Sequence, residues 1–167
     1  DHFDRKEARK MDLFTQYAMV SSEEALKNAQ VDLDKINKDE VGVIWSSGIG
    51  GLKTLQGEII EFAKRDFQPK FNPFLVPKMI ADIAAGMISI KYGFRGVNYC
   101  PVSACASSTN AVIDALNFIR LGQANMIIAG GSEASIHETA IGGFGAMKAL
   151  SSRNDDPTAA SRPFDAN

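Results

Sequence analysis

Apolar and polar residues alternate along the chain in blocks that predict a series of helices and buried strands. The first block places apolar side chains at helical spacing behind a D-x-x-E capping pattern that begins at Asp4, which predicts a helix from about Arg5 to Asn28. Two short and continuously apolar runs, Val41 to Ser46 and Met126 to Ala129, are typical of strands buried on both faces. A third strand is expected over Val97 to Val102.

Three further helices are expected between and after these strands. They cover Thr54 to Lys64, Pro77 to the stop at Gly93, and Ala106 to Leu121. The side chains of the last helix that we expect to face the core are Ala111, Ala115, Leu116 and Ile119. The order of the elements predicts an α/β fold in which helices cover both faces of the sheet.

Three segments between the periodic blocks are predicted to be irregular. The glycines of Gly48 to Gly51 turn the chain out of the first strand. Prolines interrupt Phe67 to Pro77, yet this segment is rich in apolar residues, so we expect a partner or a substrate pocket to cover it. Gly142 to Met147 is expected to be a glycine-rich loop, either a flexible turn or a support that turns the Phe144 ring toward a ligand.

Composition narrows the function classes. The 167 residues are 45% apolar, which suits one domain over 1–167, and the net charge of -2 without a basic stripe argues against nucleic-acid binding. Membrane spans need about 18 uninterrupted apolar residues, and the chain has neither such a run nor an apolar signal core at its start, so we expect a cytoplasmic, soluble protein. Because the chain starts without Met and stops in a polar loop, we expect a fragment, truncated at both ends.

Cys105 is the residue best placed for chemistry. It lies where the third predicted strand passes into a predicted helix, and such a junction favours an anion through unpaired N–H groups and the helix dipole. We therefore expect the pKa of this thiol to be lowered and its reactivity toward thioesters raised. A cysteine among small residues can also be an inert core residue, and we keep that interpretation for Cys100. The two cysteines suit neither a zinc site nor a disulfide framework.

Three other sequence patterns give weaker evidence for a functional site. Gly48 to Gly51 imitates a dinucleotide-binding fingerprint, but Lys53 occupies the position of the third glycine. Ser132 lacks the flanking glycine of a nucleophile elbow because Ala134 replaces it, so a turn after a strand is expected there. His137 could act as a base, but a solvated surface histidine is the expectation.

Four motifs in fixed order carry a family resemblance. They are Val102-Ser-Ala-Cys-Ala-Ser-Ser108, Ala129-Gly-Gly-Ser-Glu-Ala134, Gly142-Gly-Phe-Gly-Ala-Met-Lys-Ala-Leu-Ser151 and Arg162-Pro-Phe-Asp165. Together with Asp4-Arg-Lys-Glu-Ala-Arg-Lys-Met-Asp12, Gly48-Ile-Gly-Gly51 and Asn72-Pro-Phe-Leu-Val-Pro77, they resemble the β-ketoacyl-acyl-carrier-protein synthases of type II, the elongating ketosynthases.

The resemblance implies a thiolase-like α-β-α-β-α layered fold, of which this chain holds an incomplete N-terminal half. It implies a homodimer that condenses an acyl-enzyme with malonyl-acyl-carrier protein. The partner is then acyl carrier protein, and neither a metal nor a small-molecule cofactor is required, because the substrates are carried on its phosphopantetheine. The catalytic histidines, the lysine and the gating phenylalanine of the family are expected beyond Asp165.

The motifs also imply roles for individual residues. Cys105 matches the catalytic nucleophile, with its own N–H as half of an oxyanion hole. Ile49 and Phe144 match acyl-pocket residues. Leu75 and Val76 match a loop that reaches into the pocket of the dimer partner. Where many family members carry Thr and Gly, this chain has Ser103 and Ser108, which bears on chain-length preference.

Two alternatives use the same fold. A non-catalytic partner subunit of the chain-length-factor type would usually lack the nucleophile, so Cys105 argues against it. A coenzyme A-dependent thiolase or initiating synthase would keep the cysteine, but the pattern from Gly142 to Ser151 favours the elongating enzymes.

Overall fold

The computed structural model of the protein describes residues 2–165. The chain forms two units, Asp1–Ala134 and Ser135–Asn167. The helices are α1 (Arg5–Ala8), α2 (Leu13–Asn28), α3 (Leu52–Lys64), α4 (Leu75–Met79), α5 (Ile83–Tyr92), α6 (Ser107–Arg120) and α7 (Glu138–Ala146). The strands are β1 (Val41–Ser46), β2 (Asn98–Tyr99) and β3 (Met126–Gly131), and single 3-10 turns cover Lys38–Glu40, Ala104–Ala106 and Pro157–Ala159.

A parallel sheet with the strand order β2-β1-β3 lies at the centre of the first unit. β1 pairs with β3 along its whole length, from Val41 opposite Met126 to Ser46 opposite Gly131. All six residues of β1 are buried, as its continuous apolar run predicts. Because the strands are parallel, their carboxyl ends meet at one edge of the sheet, where open α/β sheets place their sites.

Helices cover the two faces of this sheet and so create two cores. On one face, α2 and α5 pack against β1 around Phe14, Val43 and Ile88, all fully buried. On the other face, Ala111 and Ala115 of α6 pack against Ile44. The predicted α/β layering, with helices on both faces, is therefore present.

The predicted helix over Arg5 to Asn28 is wrong in one respect, because it is two helices. Asp4 caps the first by accepting hydrogen bonds from the N–H groups of Lys6 and Glu7. Asp12 separates the two helices. Its buried carboxylate caps α2 by accepting the N–H of Phe14, and it also accepts a hydrogen bond from the Thr54 hydroxyl at 2.5 Å. A cap residue has extended backbone, so the helix cannot run through it.

The helix predicted from Pro77 to Gly93 is also divided. α4 ends at Met79 because the Met79 carbonyl accepts the N–H of Gly51 at 3.0 Å and Ile80 is extended. Gly93, with φ of 72°, ends α5 as predicted. The strand expected over Val97 to Val102 is confirmed only at β2.

One face of α6 differs from the prediction. Leu116 and Ile119 are exposed by 46% and 44%, whereas Ala111 and Ala115 are buried as expected. Among residues 2–165, no helix is both long enough and apolar enough to cross a membrane.

Candidate active site

Segments that follow the three strands supply the candidate site at the carboxyl edge of the sheet. Cys105 lies in the segment after β2, Ile49 in the loop after β1, and Glu133 two residues beyond β3. All three belong to the first unit.

The Cys105 turn has unusual backbone. Ala104 has a φ of +51°, in the left-handed region that costs a residue with a Cβ about 1 kcal/mol or more. This conformation starts the 3-10 turn Ala104–Ala106 and leaves Cys105 exposed just ahead of α6. Strain of this kind persists only where surrounding contacts hold it, and it is found often at active sites.

Short hydrogen bonds hold that turn. The Ser107 hydroxyl donates to the Ala104 carbonyl at 2.7 Å and accepts the Ser103 N–H at 2.9 Å. Asn110 donates to the Ser103 hydroxyl at 2.6 Å. Ala106, at the N-cap of α6, has no side-chain oxygen to cap the helix, so the first-turn N–H groups can favour negative charge beside Cys105.

Close packing at the end of β3 supports the same region. A Cβ added to Gly131 would lie 2.1 Å from the Ser108 hydroxyl oxygen and 2.5 Å from that of Ser46. A larger residue at this position would have to displace both hydroxyls and would also approach the Ser46 carbonyl oxygen to 3.0 Å, so glycine suits the close approach of α6 to the sheet.

Cys100 occupies a different environment from Cys105. It is half-buried directly after β2, and burial, more than the nearby Asp82 and Glu133 charges, raises the pKa of its thiol, while the backbone of Ser47 lowers it. A thiol with a raised pKa holds less thiolate at neutral pH, which makes Cys100 a poorer nucleophile. Cys105 is also the more exposed of the two residues.

The loop after β1 is fixed by its backbone N–H groups. Gly48 and Ile49 both donate to one carboxylate oxygen of Glu133, at 2.9 and 3.0 Å. Gly50 donates to the Ser47 hydroxyl at 2.9 Å, and Gly51 donates to the Met79 carbonyl. The Ile49 side chain is 42% exposed, so the loop presents it outward.

Leu75 and Val76 lie on α4, which corrects the prediction that Phe67 to Pro77 is irregular throughout. Pro77 is the third residue of α4. A backbone N–H at this position would have no partner within the helix, so proline, which lacks the N–H, costs no hydrogen bond there. Val76 is 58% exposed. The bond from Gly51 to Met79 places this helix beside the Ile49 loop.

The second unit contains Phe144, and the glycine-rich segment around it is α7 instead of a loop. A Cβ added to Gly142, Gly143 or Gly145 would meet nothing within 4 Å. No close contact therefore requires glycine at these positions, and the segment is helical. His137 at the start of α7 is buried, contrary to the expectation of a surface histidine. Burial of Phe144 is partial, with 40% of the residue exposed.

Ser132 makes hydrogen bonds that stabilise the end of the sheet. Its hydroxyl accepts the indole N–H of Trp45 at 2.9 Å, and its own N–H donates to the Ser46 carbonyl. Within the described residues 2–165, no cluster of three or more His, Cys, Asp or Glu side chains is arranged to hold a metal ion.

Comparison with known proteins identifies the family. Residues 1–167 match the profile described as "Beta-ketoacyl synthase, N-terminal domain". The chain belongs to the β-ketoacyl synthase family.

Relatives within the family have informative names. The chain is 47% identical over 165 residues to a 3-oxoacyl-[acyl-carrier-protein] synthase 2 of Staphylococcus aureus, covering 98% of this chain and 40% of that protein. It is 44% identical over 163 residues to the protein of the same name in Synechocystis, covering 97% and 39%. The chain therefore spans about two fifths of the length of these relatives.

A solved β-ketoacyl synthase from Burkholderia phymatum STM815 has the same fold. It superposes with a TM-score of 0.86 at 28% sequence identity, over 99% of this chain and 40% of that one. The expected thiolase-like layered fold, here as a partial N-terminal domain, is confirmed.

Glu133 belongs to the candidate site, although the sequence patterns did not single it out. It stands in the motif Ala129-Gly-Gly-Ser-Glu-Ala134, directly after a buried strand, and polar residues that follow such strands collect at the carboxyl edge. That position was the available signal.

Proposed function

We propose that the protein carrying this chain is a 3-oxoacyl-[acyl-carrier-protein] synthase with Cys105 as its nucleophile. The observation that carries the proposal is the exposed cysteine on a strained turn at the start of α6, in a chain that matches the family over every residue. The names of the relatives supply the carrier protein as partner.

The proposed reaction has two halves. In the first, the Cys105 thiolate attacks the thioester carbonyl of an acyl group on the carrier phosphopantetheine, and the carrier sulfur leaves as a thiolate. N–H groups at the turn stabilise the oxyanion, and that of Cys105 itself is our candidate for one of them. In the second, malonyl-carrier protein loses CO₂, its carbanion attacks the acyl-enzyme carbonyl, and the Cys105 thiolate leaves as the 3-oxoacyl product forms.

We assign the acyl-pocket roles as part of the same proposal. We assign an acyl-binding role to Ile49 and, from its motif match alone, to Phe144, while Leu75 and Val76 contribute from the partner subunit of a homodimer. The exposure of Ile49 and Val76 on adjacent segments supports these roles, because grouped exposed apolar side chains mark interaction sites. The chemistry draws on a thiol and carrier-bound thioesters in the cytoplasm, so the proposal includes neither a metal nor a small-molecule cofactor.

A condensation assay tests this function. We expect the protein that carries this chain to form 3-oxoacyl product from acyl-carrier and malonyl-carrier protein, and Cys105→Ala to abolish it. Parallel reactions with coenzyme A thioesters supply the contrast. Product from coenzyme A substrates alone would favour a thiolase or initiating synthase, and wild-type rates in Cys105→Ala would overturn the assignment.

A further inference from the structure

The Glu133 carboxylate joins the ends of two strands of the sheet. Its Oε2 atom accepts the N–H groups of Gly48 and Ile49, and the Ser47 hydroxyl lies 3.4 Å from both carboxylate oxygens. The carboxylate comes from the segment after β3, whereas all three partners come from the segment after β1. Hydrogen bonds to a charged acceptor are stronger than neutral ones, so this is a firm tie across the edge.

This tie completes the hydrogen bonding of the loop backbone. Glu133 accepts two consecutive N–H groups, the Ser47 hydroxyl accepts the next, and the Met79 carbonyl accepts that of Gly51. The Ser47 hydroxyl therefore links the carboxylate to the N–H of Gly50. These hydrogen bonds hold the backbone of the loop from both sides, and the backbone fixes the Cα–Cβ direction of Ile49.

The same loop also lies against the Cys105 turn. A Cβ added to Gly48 would be 3.2 Å from the Glu133 Oε2 atom and 3.4 Å from the Ala104 carbonyl oxygen. Gly48 is thus enclosed between the carboxylate and the residue before Cys105. A shift of this loop would move Ile49 and would change the packing against Ala104, the residue before the thiol.

From these contacts we infer that Glu133 is a positioning residue that sets acyl-chain selectivity by holding the loop that carries Ile49 against the Cys105 turn. The inference rests on the proposed function, because it names what determines selectivity in that reaction. Glu133 does not touch the reacting atoms in this account. It acts through the loop backbone.

Substitution of the carboxylate separates this role from a general structural one. Glu133→Gln keeps the size of the side chain but removes its charge, so the amide oxygen can hold the two N–H groups only through weaker, neutral hydrogen bonds. Because contact with one apolar group in a pocket is worth about tenfold or more in discrimination, we expect the preference among acyl-carrier chain lengths, measured as kcat/KM, to fall about tenfold. We expect the loss in KM, with kcat changed by less than about twofold.

Four further variants make the test specific. Glu24→Gln, on the exposed surface of α2, is the matched control and should leave selectivity unchanged. Ile49→Ala and the double variant Glu133→Gln/Ile49→Ala complete a cycle, in which Glu133→Gln should have no further effect on selectivity once the Ile49 side chain is removed. Ser47→Ala, which removes the hydroxyl link, should reproduce part of the loss and serves if Glu133→Gln does not fold.

The outcomes distinguish this inference from the proposed function. A wild-type protein without condensing activity would contradict the proposed function, and amide hydrogen exchange at Gly48 and Ile49 would still report whether Glu133 holds the loop. Unchanged selectivity in Glu133→Gln, or additive effects in the cycle, would overturn the inference while leaving Cys105 as nucleophile.

Discussion

Gly51→Ala is expected to separate the Ile49 loop from α4. A Cβ on Gly51 would lie 2.1 Å from the Lys78 carbonyl oxygen and 2.9 Å from both the Lys78 carbonyl carbon and the Met79 Cα. These atoms are backbone, so no side-chain rotation can relieve the overlap. Optimal separations are about 3.5 Å, and the two segments would have to move apart by more than about 1 Å.

The cost follows from that movement. Overpacking costs about 1–3 kcal/mol, and losing the 3.0 Å bond from the Gly51 N–H to the Met79 carbonyl adds about 1 kcal/mol. We therefore expect Gly51→Ala to lower the free energy of unfolding by about 2–4 kcal/mol. Gly57→Ala is the matched control, because a Cβ there meets nothing within 4 Å in the middle of α3. Alanine is the better helix former, so Gly57→Ala should stabilise by up to about 1 kcal/mol.

Urea denaturation of the protein carrying this chain, followed by circular dichroism, measures both effects. The midpoint should fall for Gly51→Ala and hold or rise for Gly57→Ala. A wild-type midpoint in Gly51→Ala would refute the close approach of the loop and α4. Equal losses in both variants would point to glycine replacement in general and would refute the packing argument.

Three other perturbations test neighbouring parts of the account. Near neutral pH, one equivalent of iodoacetamide should modify the exposed Cys105. Cys100 should react only as the pH rises, because burial raises the pKa of its thiol. Equal labelling of the two cysteines in peptide mass spectrometry would contradict this. Asp12→Ala should lower the urea-derived unfolding free energy by about 2 kcal/mol through loss of the α2 cap and the bond to α3, and a change under about 0.5 kcal/mol would contradict it. Tyr99→Phe should cost about 1 kcal/mol, since the phenol donates to Asp114 at 2.7 Å. Burial first, and then Asp114, raises the pKa of Tyr99 to about 12. The cost of Tyr99→Phe should therefore persist up to about pH 10 and fade only as the pH rises through the raised pKa. In denaturation at several pH values, a cost that vanishes below pH 10 would contradict the assignment.

Local sequence signals predicted the elements whose causes are local. The buried strand Val41 to Ser46, the Asp4 cap and the stop at Gly93 follow from continuous apolar residues, a capping carboxylate and a residue tolerant of positive φ. Periodicity does not predict the breaks within helices where a hydrogen bond to a residue distant in sequence ends the helix. Asp12 bonds to Thr54, 42 residues away, and the end of α4 is fixed by Gly51.

The same distinction holds for the site. The junction of strand and helix was enough to single out Cys105, whose exposure on a turn agrees with that choice. The role of Glu133 was not predictable from periodicity, because its backbone partners lie 84 and 85 residues earlier and only the pairing of β1 with β3 brings them near. The exposed residues Leu116 and Ile119 were expected in the core because periodicity reports an apolar face, and it does not report what covers that face.

Acyl transfer to the protein in the absence of malonyl substrate tests the central claim most directly. After incubation with acyl-carrier protein and proteolysis, mass spectrometry should find the acyl group on Cys105 alone, with Cys100→Ala still acylated and Cys105→Ala free of adduct. An acyl group that remains on the protein in Cys105→Ala, or one found on Cys100 in the wild type, would contradict the assignment of Cys105 as the nucleophile.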